Sequence, residues 1–299
     1  MEHSATVRLE LDGRPEAVTL VRATLSAIAQ SLGLQGEVLN DVKTAVSEAC
    51  NNVVVHAYQG LPGPVRVEVD AASEGMTVAV RDYGSGMQNP AAREERMGVG
   101  LAVISALASH TELLTPSGGG TEVRMWFATG ASEMNLLGQW DDARRDGHPP
   151  RELSRERVER ALELSGDVVV TVAPVALMAP VLGRLARALA AGARFSFDRF
   201  SDVYLVADTI GAHAQRAAAT DCISFSVRAA GKRLELWIGP FAQGSGAQLQ
   251  PRAASKAHDS PLPLLADEIN VQRAGESEVL RVVLRDRDVA ARDSNAPRP

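Results

Sequence analysis

The strongest constraint on this 299-residue chain is that its second half repeats the apolar rhythm of its first. Val7, Leu9 and Leu11 alternate with polar neighbours, as on a half-buried strand, and Val168, Val170 and Val172 repeat them at an offset of 161. Val18, Val21, Leu25, Ile28 and Leu32 keep helical spacing between Pro15 and Gly33, residues suited to the start and the end of a helix. Val175, Met178, Leu182, Leu185 and Leu189 follow the same rhythm at an offset of 157, and Gly192 falls near the place of Gly33. Asp202-Val203 match Asp41-Val42 at 161. A hairpin read at Val65-Val67-Val69 and Met76-Val78-Val80 returns as Ile223-Phe225-Val227 and Leu234-Leu236-Ile238 at 158, and the last strand of the first half, 121–127, returns as Leu280-Val282-Leu284 at 157. Short apolar patterns align easily by chance, but this many in one order do not. The sequence therefore predicts one fold built twice. Pro180, inside the second copy's first helix, counts against it.

The boundaries expected from composition are a first copy at 1–130, a linker and charged connecting helix at 131–165, a second copy at 166–288 and a disordered polar tail at 289–299. With 45% apolar and 23% charged residues the chain has the balance of a globular protein. A net charge of −6 argues against nucleic-acid phosphate as its main partner. No run of about 18 apolar residues is evident, so nothing is expected to span a membrane. Cys50 and Cys222 lie far apart in apolar contexts and read as reduced core residues of a cytoplasmic protein.

Chemistry is expected in the first copy. In 37–58, Val42, Val46, Ala49 and Val53 form an apolar helical stripe, and Glu48, Asn52 and His56 form a polar one beside it. Asn51-Asn52 in mid-helix breaks a local preference, and such breaks often mark function. Asn52 offers a neutral carbonyl oxygen to a hard cation such as Mg²⁺. Glu48, one turn earlier, can act as a base toward a nearby hydroxyl. His56 reads as a helix-end residue. Asp82 ends a strand and is followed by Gly84 and Gly86, a setting in which a flat ligand can approach the backbone and give the carboxylate an exocyclic amine. Gly98 and Gly100 open a helix whose free N–H groups suit an anion. Gly118 to Gly120 form a tight turn before Thr121.

Taken in order, E-A-x-x-N on a helix, D-x-G-x-G after a strand, G-x-G-L opening a helix and G-G-G-T before a strand resemble the N-box and three glycine boxes of the ATP-binding superfamily of gyrase, heat-shock chaperones, histidine kinases and mismatch-repair ATPases. S-E-A-C-N-N-V-V-V-H-A-Y is similar to its branch of bacterial anti-sigma-factor serine/threonine kinases. The resemblance covers about 5–130. It implies an α/β domain, an α+β two-layer sandwich of Bergerat type. A mixed, mostly antiparallel sheet would carry helices on one face, and the domain would occur twice in tandem.

The resemblance also implies roles. Asn52 would hold Mg²⁺, Asp82 with Gly84 and Gly86 would read adenine, Gly98 and Gly100 would bind phosphates, Thr121 would stand near adenine, and Glu48 would be the base toward a partner's serine. The lid would be 87–97, with Arg93 and Arg96 near the γ-phosphate or an acidic partner. ATP and Mg²⁺ are the implied cofactors, and the implied partners are a sigma factor and a small anti-sigma-factor antagonist, without direct nucleic-acid or membrane contact. A non-catalytic ATP-binding scaffold is the alternative. The tandem admits a homodimer or an intramolecular pseudo-dimer. In the second copy Glu48 aligns with Thr209, Asn52 with His213 and Asp82 with Pro240, and only Asp208 comes near the glutamate position. That copy is expected to keep the fold and lack nucleotide.

Overall fold

The computed structural model describes residues 5–34, 36–72, 75–84, 99–128, 164–249 and 260–286. In the first half β1 (Ala5–Asp12) leads to α1 (Pro15–Leu32) and α2 (Glu37–Asn52), which runs on into a π-helical turn, Val53–Ala57. Then come β2 (Pro64–Ala72), β3 (Gly75–Asp82), α3 (Val99–Leu107), β4 (His110–Leu114) and β5 (Glu122–Ala128). The second half has β6 (Val168–Ala173), a 3-10 turn (Val175–Leu177), α4 (Met178–Gly192), α5 (Phe197–Ala217), β7 (Ile223–Ala230), β8 (Arg233–Ala242), α6 (Leu262–Leu265), β9 (Glu268–Ala274) and β10 (Ser277–Arg285).

All ten strands form one sheet in the order β4-β5-β3-β2-β1-β6-β7-β8-β10-β9. Read outward from the middle, each half has the same order: first, second, third, fifth, fourth strand. The expected mixed sheet has only antiparallel ladders among the described strands. The halves join where β1 pairs with β6, which sets Val7 opposite Val172, Leu9 opposite Val170 and Leu11 opposite Val168. These side chains are buried on one face, and α1 packs against α4 over the same seam. Each half thus meets the other through its own first strand and first helix.

The sheet alternates as a one-sided sheet must. Its helix-covered face buries Leu9, Val67, Val78, Met125, Val170, Phe225, Leu236 and Val282. Its other face is polar and cross-linked: Arg8 to Glu68 at 2.8 Å, Arg66 to Glu10 at 2.8 Å, Arg281 to Glu235 at 2.5 Å and to Glu268 at 3.1 Å. Opposite-charge pairs across neighbouring strands stabilise a ladder by a few tenths of a kcal/mol each, up to about 1.

Gly33 closes α1 in the left-handed conformation (φ 72°), and the Leu34 N–H donates to the Ala29 carbonyl at 2.8 Å. In the second half that role falls to Arg194 (φ 57°) rather than Gly192, and the Phe195 N–H donates to the Ala190 carbonyl at 3.0 Å. Pro180 is no obstacle, because α4 begins only at Met178 and first-turn N–H groups have no intrahelical acceptor to lose. The edge strands β4 and β9 were not legible in the sequence. The stretch Val175–Gly192 is, by length and composition, apolar enough to cross a membrane, contrary to expectation. In the fold, its Met178, Val181, Leu182, Leu185 and Ala186 are fully buried, where the helix packs on α1, α5 and β7. The linker, the connecting helix up to 163, the lid with Arg93 and Arg96, and the tail fall outside the described residues.

Candidate nucleotide site

Strand order brings the site together. β5 lies beside β3, with Arg81 opposite Glu122, so Thr121, just before β5, reaches Asp82 at the end of β3. The Asp82 N–H donates to the Thr121 carbonyl at 2.9 Å. The Asp82 Oδ1 accepts the Gly84 N–H at 2.9 Å. Asp82 is only 6% exposed. Burial pushes its carboxyl above the usual carboxylate range, although hydrogen bonds from Gly84 and from the backbone and side chain of Thr121, with the Arg81 charge, oppose the shift. A buried carboxylate with acceptor capacity left is suited to a ligand N–H donor.

The glycines are close approaches of backbone. A Cβ at Gly84 would overlap the Ala57 carbonyl, and one at Gly120 (φ 80°) would overlap the Asp82 carbonyl. A Cβ at Gly100 would run into the Glu48 Oε1, so the carboxylate of α2 lies directly against the first turn of α3. Asn52 stands one turn beyond Glu48, and both side chains are half-buried. Of the predicted site residues, Asp82, Thr121 and Gly84 meet around one carboxylate, and Glu48 meets Gly100. Gly86 and Gly98 lie outside the described residues.

His56 is the helix-end residue expected of it: the π-helical turn that starts directly after Asn52 ends at Ala57, and His56 is exposed. Such turns recur at functional sites. Sequence reasoning also missed Tyr58, whose hydroxyl accepts the Tyr83 N–H at 2.8 Å and donates to the Pro64 carbonyl at 2.5 Å. The sequence signal available was an aromatic residue just past the N-box, followed by a glycine-proline turn.

At the corresponding place in the second half a histidine packs into the core. His213 is 2% exposed and lies 5.3 Å, centroid to centroid, from the buried ring of Phe241. Its Nε2 has no hydrogen-bond partner, and burial pushes its pKa down. Asp208 is exposed. Among the described residues, Glu278 of β10 reaches the turn after β8: it accepts the Gly244 N–H at 2.8 Å and the Gly246 N–H at 2.9 Å and holds that turn.

An acid at a strand end, a glycine-lined turn beside it and a helix carrying Glu and Asn make a candidate nucleotide site in an α/β domain. The chain belongs to the histidine kinase-like ATPase domain family, which its residues 11–127 match, in the branch of anti-sigma-factor kinases. It is 32% identical over 126 residues to the anti-sigma F factor of Clostridium beijerinckii, covering 38% of this chain and 88% of that one. It is 32% identical over 127 residues to the serine-protein kinase RsbW of Halalkalibacterium halodurans, covering 38% and 78%. With the anti-sigma F factor of Caldanaerobacter subterraneus subsp. tengcongensis the identity is 29% over 135 residues, covering 42% and 94%.

Proposed function

We propose that residues 1–130 form an ATP- and Mg²⁺-dependent protein kinase domain. It would act on a serine or threonine of a small anti-sigma-factor antagonist, and its nucleotide-bound state would hold a sigma factor. The observation that carries this reading is a pair of acids in different settings: Asp82 buried under Gly84 and Thr121, and Glu48 half-buried against Gly100. ATP brings the phosphoryl group, and the transfer asks mainly for positioning and charge stabilisation. Asp82 accepts the adenine amine. Asn52 would give a bound Mg²⁺ one neutral oxygen, which suits an ion that keeps several waters. Glu48 takes the proton of the attacking hydroxyl as its oxygen bonds to phosphorus and ADP leaves.

The second half, 166–288, is the silent copy in a cytoplasmic pseudo-dimer. Its buried His213, packed on Phe241, stands where the first half has Asn52 and speaks against nucleotide there. That loss also gives the rival reading, a non-catalytic ATP-binding scaffold, its support. The deciding experiment is incubation of the full chain with labelled ATP, Mg²⁺ and the small antagonist-type protein encoded nearest to it. Phosphoserine or phosphothreonine on that protein is the expected result; ATP binding with no transfer would leave the scaffold.

A further inference from the structure

We infer that Tyr58 is a positioning residue that aims Asp82 at the adenine amine by clamping the end of the α2 helix to the turn after β3. The inference rests on the proposed nucleotide reading of Asp82. Asp82 has Thr121 on one side and Gly84 ahead of it, both by direct hydrogen bonds. What fixes the turn itself is the next peptide, and its N–H, on Tyr83, donates to the Tyr58 hydroxyl at 2.8 Å. That hydroxyl donates in turn to the Pro64 carbonyl at 2.5 Å, at the start of β2. One phenol oxygen therefore ties three segments: the end of the π-helical turn, the first residue of β2 and the residue after Asp82.

Packing holds the phenol in place. A Cβ on Gly63 would sit 2.5 Å from the Tyr58 ring, so the ring lies against that backbone without room for a side chain. Gly84 meets the Ala57 carbonyl one residue before Tyr58, which gives the same two segments a second contact. The Tyr83 ring is held from elsewhere, with the guanidinium of Arg81 at 4.8 Å and that of Arg66 at 5.8 Å from its centre. The Tyr83 peptide thus has its orientation set from both sides, and the Asp82 carboxylate moves with it. The same bridge ties the Asp82 turn to the helix that carries Glu48 and Asn52.

The test compares ATP with inosine triphosphate, which lacks the exocyclic amine, by calorimetry in Mg²⁺ on the full chain. Tyr58→Phe keeps the ring and removes the hydroxyl. It should weaken ATP binding by about three- to ten-fold, the net worth of one hydrogen bond, with the affinity for inosine triphosphate unchanged. Added to Asp82→Asn it should cause no further loss. Gly63→Ala, which pushes the ring aside and keeps the hydroxyl, should reproduce the selective loss, so the idea stays testable if Tyr58→Phe folds poorly. Equal loss for both nucleotides, or a full additional loss on top of Asp82→Asn, would mean that Tyr58 only supports the fold. A wild-type chain that binds both nucleotides equally would remove the Asp82 reading itself, and Tyr58 with it.

Discussion

Replacing Asp82 with Asn separates binding from stability at one position. The carboxylate is buried, and the burial that raises its pKa means that its charge is held at a cost in the free protein. Asn keeps an oxygen for the Gly84 N–H and removes the charge, so unliganded Asp82→Asn should melt at the wild-type temperature or slightly above it at neutral pH. Nucleotide affinity should move the other way. A hydrogen bond to a charged acceptor contributes about 1.5–3 kcal/mol, so ATP should bind roughly 10- to 150-fold more weakly, at about 1.4 kcal/mol per ten-fold. The pH dependence follows from the same shift. A carboxyl whose folded pKa is raised contributes stability at low pH that is lost as pH rises through the folded value. In the proposed role ATP binding needs the ionised form, so wild-type affinity should fall on acidification before the ordinary carboxylate range is reached, and the gap to Asp82→Asn should close. Calorimetry across pH with thermal melts of both proteins measures all of this. Unchanged ATP affinity at neutral pH would refute the adenine role, and a large drop in the melting temperature of the unliganded variant would make Asp82 a structural residue.

Glu48→Gln should retain ATP binding and abolish transfer to the antagonist, read by labelled phosphate; transfer at the wild-type rate would remove its role as base. Gly120→Ala places a Cβ at φ 80° against the Asp82 carbonyl and should cost roughly 2 kcal/mol or more in denaturant unfolding, since the strained backbone alone accounts for about 1 or more. His213 has its pKa pushed down by burial and the Arg216 charge, with Glu278 opposing. Its contribution is present above the unfolded histidine value of about 6.5 and is lost as pH falls toward the folded one. His213→Phe should therefore flatten the acid limb of the stability curve; an unchanged limb would show that His213 stays neutral in both states or titrates alike in both.

The strands β1, β2, β3, β5, β6, β7, β8 and β10, and helices α1 to α4, were legible because each buries one face and so carries a period of two or of 3.6 in its apolar residues. β4 and β9 were not. As edge strands they pair on one side only, and His110–Leu114 is half-exposed throughout with no alternation to read. Glu48, Asn52, Asp82, Gly84, Gly100 and Thr121 could be proposed from their order along the chain, whereas Tyr58 could not, because its contact is a bond across 25 residues to the Tyr83 N–H.

The sequence by itself determined that one apolar pattern occurs twice and that the acid, amide and glycines proposed to bind nucleotide all lie in the first half, because side-chain chemistry and local periodicity are written residue by residue. The tertiary structure alone decided that the two halves share one sheet through β1 and β6, that the helix carrying Glu48 and Asn52 ends in a π-helical turn, and that His213 packs on Phe241. Those outcomes depend on strand pairing, helix winding and side-chain packing between residues far apart in the chain, and no local pattern encodes them.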